Sequence, residues 1–375
     1  MMALVTPLLP YIRDDFAIDY TRAGVLVSAC TIAYGVSQLP AGWLADRVGT
    51  RILITVGISG VAVVGLLLGM SPGYYYMVAL LILLGIVGGG YHPSASPMIS
   101  AMVPVKIRGR ALGIHQIGGS ASYFLAPIIA IAVASQYGWR GTFIWVAVPV
   151  IIFGLAMYFI MGHRKFVSLT RKEEDRGQMP SVIPAGRKRL ASFLIVGIVI
   201  QALVFAIIAF VPLYLVDSFE ITEVKAGSLL ALIYFMGLLA GPLGGYLSDR
   251  FGRVKVVMTV SIVCGPAIYL LSQTGVLWAA VGLLMLLGMF MFLTMPIVEA
   301  YIISNTPSQR RSTVMGVYYL CSRGGPGLIV ILLGFLFDRY GFDVGFIVMS
   351  ALVVIVTIIF GTVLLGKNNE PVISS

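Results

Sequence analysis

The sequence predicts an all-α integral membrane protein. Twelve transmembrane helices, the first of them truncated, are expected to form two pseudo-symmetric six-helix bundles. Three observations predict this. The chain is 59% hydrophobic, with a mean hydropathy of +0.99. Only 11% of its residues are charged, where soluble domains carry roughly 25%. Its two halves also repeat at one fixed offset of 203 residues. The run GWLADRVGTR at Gly42–Arg51 returns as GYLSDRFGRV at Gly245–Val254. Phe16 returns as Phe219, Gly24 as Gly227, Gly85 as Gly288, Pro93 as Pro296, Gly113 as Gly316 and Gly138 as Gly341. A constant offset over so many landmarks leaves no insertion or deletion between the halves. Many secondary transporters are built from such internal repeats, with the solute site at the seam.

The spans follow in order, each long enough to meet the need for about 20 apolar residues. They are Thr21–Ala45, Ile52–Met70, Tyr74–Val103, Gly109–Ser135, Gly141–Gly162, Leu190–Val216, Val224–Leu247, Val254–Ser272, Val276–Ile303, Thr313–Phe337 and Phe342–Gly366. A shortened first span, Met1–Ile12, precedes them. Twelve helical residues reach about 18 Å, short of a hydrocarbon core of about 30 Å. The repeat places the counterpart of Leu190 before Met1, so the first helix is expected to be truncated or its start misassigned. The segment has neither the basic flank nor the small-residue cleavage site of a signal peptide. Domains are expected at 1–162 and 190–375, joined by a linker at 163–189. The linker holds the basic runs HRK and RKR, the mixed run RKEEDR, and Pro180 and Pro184. Its composition reads as a cytoplasmic connector whose basic ends suit anionic headgroups.

Charge sidedness sets the orientation. With the Asp46 and Asp249 loops in the cytoplasm, that side carries 19 of the 25 Lys and Arg residues and the opposite loops 5, with Arg323 inside a span. Both termini are then cytoplasmic, in the inner membrane of a prokaryote. The net charge of +10 follows from this sidedness, and nucleic acid is not an expected partner. Cys30, Cys264 and Cys321 all fall inside apolar spans, with no disulfide framework and no metal-ligand spacing. No cofactor is expected. The absence of a Walker-type phosphate loop argues against direct ATP drive, and the sequence does not read as an enzyme.

The doubled loop run resembles the signature of the major facilitator superfamily, a Gly-x-Leu-Ala-Asp-Arg-x-Gly-Arg string after the second helix. Gly42, Asp46, Arg47 and Gly49 match in the first copy, and Gly245, Asp249, Arg250, Gly252 and Arg253 in the second. Thr50 departs from the pattern, with Arg51 directly after it. The resemblance implies that these loops latch the cytoplasmic side during alternating access. YHPSASP at Tyr91–Pro97 and RGRALGIHQIGGSA at Arg108–Ala121 further resemble the fosmidomycin-resistance and small-anion branch of that superfamily. The export-type motif of the fifth span is degenerate, with Ala126-Pro127 in place of Gly-Pro.

Few polar residues lie inside the spans. Arg323 falls near mid-membrane, where even the mildest insertion scale charges about 2.5–3.5 kcal/mol. It must hold a substrate anion or a structural partner, and Tyr319, four residues earlier, shares its face and can support it. Glu299 is the carboxylate deepest in a span, suited to proton coupling or to pairing a rim cation such as Arg310. His92 and His115 are either proton relays or packing histidines. Gln201 and Gln116, with Gln38, are amides that can bind a solute or bond locally. Gly237, Gly241 and Gly245, spaced four apart, are expected to let helices pack closely or to hinge. Together these residues predict a monomeric secondary transporter that moves a small, anionic organic solute by alternating access, coupled to a proton or an exchanged anion. Drug efflux by proton antiport, or a non-transporting receptor on the same scaffold, are the alternatives.

Overall fold

The computed structural model describes residues 1–103, 108–160, 186–306, 314–315 and 317–365. Every regular element among them is helical. In lipid only a helix or a closed barrel satisfies its own backbone polar groups, and runs this apolar and this long take the helical solution.

In chain order the helices are α1 (Val5–Phe16), α2 (Tyr20–Val48), α3 (Thr50–Thr55), α4 (Val61–Gly69), α5 (Tyr74–Gly88), α6 (Tyr91–Met102) and α7 (Arg108–Ile160). Then come α8 (Arg187–Phe219), α9 (Glu223–Phe251), α10 (Arg253–Gln273), α11 (Leu277–Asn305) and α12 (Gly325–Leu365). A 3₁₀ turn, Met2–Leu4, leads into α1, and two π-helical turns, Val56–Gly60 and Leu320–Gly324, interrupt otherwise regular helix. Among the described residues eight helices are long and apolar enough to cross a membrane.

Both α7 and α12 reverse direction. Each contains one non-helical residue, Gly138 (φ 68°) and Gly341 (φ 80°). The Thr142 hydroxyl donates to the carbonyl of Ala130 at 3.4 Å, which requires the two arms of α7 to run side by side. A connecting loop between Ser135 and Gly141 was expected from sequence; the turn needs only Gly138. A second difference lies in the expected span Tyr74–Val103, which breaks at Gly89 and Gly90 into α5 and α6. Pro93 has no N–H for the carbonyl of Gly89, so the ladder must lapse there. Third, α8 begins at Arg187, so the last basic run forms its first turn and is not part of a loop. The rest of the linker, 161–185, lies outside the described residues.

The sequence repeat is reproduced in backbone geometry. The described residues with positive φ come in pairs 203 apart: Ala17 with Glu220, Gly49 with Gly252, and Gly138 with Gly341. Helix starts repeat as well. Asp19 Oδ1 accepts from the Arg22 amide at 2.7 Å, and Thr222 Oγ1 from the Lys225 amide at 3.3 Å. So does packing. A Cβ on Gly85 would run into the carbonyl of Cys30, and one on Gly288 would meet that of Ile233 at 3.1 Å. One local structure has therefore been built twice.

A large core holds most of the buried side chains, and α8 is the most enclosed of the long helices, with 72% of its apolar window buried. Large apolar side chains such as Phe153, Ile160 and Ile358 instead remain on the outer surface. In lipid that surface needs no polar cover.

Candidate functional site

Arg323 sits in the π turn that precedes α12. Such turns insert an extra residue into the helix and are frequent at functional sites. The backbone here meets α2 without any side chain between them, since a Cβ on Gly35 would lie 2.5 Å from Gly324 Cα. Arg323 Nη2 donates to Met295 Sδ at 3.5 Å. A thioether is a weak acceptor, so this contact uses little of a five-donor guanidinium. No carboxylate forms an ion pair with Arg323 among the described residues. Glu299, one turn along α11 from Met295, lies within electrostatic reach, as do Tyr34, Tyr123 and Tyr318.

The site joins residues that the sequence presents separately. Tyr319, expected to support Arg323, lies within electrostatic reach of both Arg323 and Glu299. Glu299 Oε1 is buried without a hydrogen-bond partner among the described residues. Gln201 is buried, and its amide nitrogen donates to the Tyr318 hydroxyl at 3.0 Å. The His115 ring lies 5.8 Å from that of Tyr91. His92 and Gln116 have backbones on α6 and α7, but their side chains lie outside the described residues. Sequence reasoning missed the aromatic members Tyr34, Tyr91, Tyr123 and Tyr318, because tyrosines in apolar spans carry no motif.

At one end of the molecule the two halves of the chain are in contact. The Arg13 guanidinium grips Asp217 through both terminal nitrogens, with Nη2 to Oδ1 at 3.0 Å. The Tyr20 hydroxyl donates to the same carboxylate at 2.6 Å. Asp338 caps α2 from across the boundary, accepting the amides of Tyr20 at 2.8 Å and Thr21 at 2.7 Å. The Thr21 hydroxyl also donates to it. Below this lock, α2 and α12 touch closely along about four turns. The Ser28 hydroxyl donates to the Gly327 carbonyl at 2.6 Å, and a Cβ on Gly334 would lie 2.6 Å from the Tyr20 carbonyl. On the other pair, Gly227 of α9 admits Ile131 of α7. None of these lock residues stood out in the sequence, because each carries a common loop-end identity.

Towards the opposite end α7 and α9 part. Rings of α7 and α9 still meet at Phe124 and Phe235, 5.4 Å apart. Beyond them, a Cβ on Gly118, Gly119, Gly241 or Gly245 would meet nothing within 4 Å. This corrects the expectation of close packing along Gly237, Gly241 and Gly245, since only Gly237 is covered, by the Phe292 ring. The backbone approach in α9 is made instead by Gly244, whose Cβ would lie 2.7 Å from the Leu293 carbonyl.

The doubled loops lie at this open end. Gly49 (φ 93°) and Gly252 (φ 88°) make the turns, and a Cβ on either would meet nothing. Their role is backbone conformation, which L-residues adopt at a cost. Arg47 lies over the Trp43 ring at 4.0 Å, and Arg250 donates to the Tyr246 hydroxyl at 2.9 Å. Arg253 donates to the Ala300 carbonyl at 3.0 Å, tying α10 to α11, and to the Ser304 hydroxyl. Asp249 is exposed and makes no hydrogen bond or ion pair among the described residues. The side chains of Gly42 and Asp46 lie outside them.

A reversing pair of repeats, a central arginine at their seam, one closed end and one open end agree with a family comparison. The model of the Major Facilitator Superfamily matches residues 1–238 and 193–374. The chain belongs to the Major Facilitator Superfamily. It is accordingly a multi-pass membrane protein and a transporter, not an enzyme. Among curated relatives, the multidrug resistance protein MdtG of Salmonella dublin is 27% identical over 316 residues, covering 82% of this chain and 78% of that protein. MdtG of Citrobacter koseri is likewise 27% identical, over 82% and 77%. Among solved structures, a bacterial homologue of the human lysosomal transporter Spinster, inward-facing and occupied, superposes with a TM-score of 0.79 at 14% identity, over 99% of this chain and 96% of that one. A POT family transporter in complex with a thioalcohol-conjugated peptide gives 0.79 at 15%, over 96% and 92%. At these identities the superfamily fold is the shared feature.

Proposed function

We propose that this superfamily member moves a small organic anion by alternating access, with the anion on Arg323 and a coupling proton on Glu299. One observation carries the reading: a mid-helix arginine whose hydrogen bond is to a thioether. Among the described residues this charge has no ionic partner, and an unpaired charge inside a span is costly and by default functional. In this reading the two six-helix bundles rock about the seam in a twelve-span topology, and both termini and the Gly49 and Gly252 loops are cytoplasmic. The open end then faces the cytoplasm, and the chain works as a monomer in a bacterial inner membrane.

Glu299 gives the coupling a sign. Its carboxylate and a bound anion compete for the same guanidinium, so a proton on Glu299 strengthens anion binding. By linkage the anion strengthens proton binding equally. Proton and anion then travel together. Binding an organic anion to purified protein in weakly buffered solution should take up a proton, and Glu299→Gln should abolish the uptake while keeping the anion. Proton release on binding would overturn this coupling.

A second reading, export of drugs by proton antiport, is supported by the MdtG relatives. A cationic drug approaching Glu299 would displace its proton, so proton release on drug binding separates this reading from the first by sign. Under either reading the doubled loops act on the conformational equilibrium. Asp46→Asn and Asp249→Asn should therefore slow flux in proteoliposomes severalfold or more while leaving solute affinity within about twofold. Wild-type turnover in both variants would reduce these aspartates to loop charges.

A further inference from the structure

We propose that the anion recognised here carries an aromatic or other flat apolar group, seated on a three-ring cluster of Tyr123, Tyr234 and Phe292 while Arg323 holds its charge. This inference rests on the anion reading above and narrows it to a substrate class.

The rings come from three helices and from both halves of the chain. Tyr123 is on α7, Tyr234 on α9 and Phe292 on α11. Tyr123 lies 5.5 Å from Tyr234 and 6.2 Å from Phe292, centroid to centroid, and the third side of the triangle is 6.3 Å. The Tyr123–Phe292 and Tyr234–Phe292 pairs meet edge-on, at 65° and 75°. That leaves ring faces to offer a guest, in the tilted and edge-to-face arrangements that aromatic groups prefer. Tyr234 is buried beneath, whereas Tyr123 and Phe292 keep part of their surface open.

The cluster is fixed in place. Gly237, one turn along α9 from Tyr234, has no side chain, and the Phe292 ring occupies the space: a Cβ there would sit 2.5 Å from Phe292 Cδ2. Gly241, a further turn along, faces open space, so the approach from the open end leads to these rings. Tyr123 also lies within electrostatic reach of Arg323. Met295, which Arg323 Nη2 contacts at 3.5 Å, lies one turn along α11 from Phe292, so rings and guanidinium are neighbours.

The donor set favours an amphipathic anion over a small hydrated one. A compact, strongly hydrated anion must recover several hydrogen bonds on entry, and one guanidinium with tyrosine hydroxyls replaces few of them. An anion on a flat apolar body sheds less water, uses the guanidinium fork for its charge and covers ring surface with the rest.

The test is calorimetric titration of the purified full-length chain with phenylphosphonate and methylphosphonate, which share a headgroup. Wild type should bind phenylphosphonate about tenfold or more tightly than methylphosphonate. Tyr123→Leu and Phe292→Leu should bring that ratio towards one, and Tyr123→Phe should preserve it. Equal affinity of the two probes in wild type overturns this inference and leaves the anion reading standing, as does a ratio that survives both leucine variants. Binding of neither probe to wild type overturns the anion reading and this inference with it. If Tyr123→Leu does not yield monodisperse protein, the wild-type ratio and Phe292→Leu decide.

Discussion

Arg323→Gln should lower anion affinity about 10- to 150-fold, because charge-assisted hydrogen bonds are worth about 1.5–3 kcal/mol. Arg323→Lys should lie between the two. It keeps the charge but loses the planar fork that matches two oxygens of a carboxylate or phosphonate. Selectivity for anions over neutral analogues should therefore survive in the lysine variant and vanish in the glutamine variant. The surroundings make the residue hard to replace structurally too, since Gly35 and Gly324 bring two backbones together beside it. The measurement must be affinity on purified, monodisperse variants, with thermal stability recorded alongside. A structural arginine would cost stability in both variants and leave the affinity of the surviving protein unchanged.

Gly35→Ala should shift the protein out of the conformation described here. The added methyl would sit 2.5 Å from Gly324 Cα and 2.6 Å from Gly324 N, and a backbone cannot rotate away as a side chain can. This seam lies between the two halves, so parting α2 from α12 relieves the clash. The ends joined by Arg13–Asp217 and by Asp338 at the start of α2 should then open. Spin labels at the exposed positions Tyr75 and Tyr340, one in each half at that end, should report a longer distance. A shift of about 1.4 kcal/mol changes the ratio of states tenfold. An unchanged distance distribution in folded protein would show that the seam tolerates the methyl. Gly85→Ala is the control: its methyl would run into the Cys30 carbonyl within one half, so no rocking motion relieves it. That variant should lose folded yield instead of changing state.

The fold class was legible because lipid imposes few solutions. Apolar runs of about 20 residues must be helices, and the 203-residue offset told where each landmark recurs. The offset even anticipated backbone detail, since Gly138 and Gly341 both turned out to reverse the chain. Element edges were less legible. Hydropathy smooths over a missing N–H, so the break opposite Pro93 between α5 and α6 went unread. Snorkelling side chains let a helix start inside a basic run, as α8 does at Arg187.

Within the candidate site, Arg323 and Glu299 stood out in the sequence because charge is rare in a span. Their proximity did not, since they stand 24 positions apart in the chain, and only the packing of α11 beside the π turn makes them neighbours. Gln201 stood out as a lone amide in an apolar helix able to bind a solute or bond locally, and only the packed structure shows its nitrogen donating to the Tyr318 hydroxyl.

By itself, the sequence determined that this chain is helical, membrane-spanning, internally duplicated and furnished with an arginine inside an apolar run. Those properties follow from local composition and from a repeat period, which need no knowledge of who touches whom. Tertiary structure alone decided which end is shut, that Asp338 caps a helix from the other half, and that tyrosines lie within electrostatic reach of the guanidinium. Contacts between distant helices depend on their relative placement. In a protein that works by changing that placement, a sequence encodes several arrangements and a structure exhibits one.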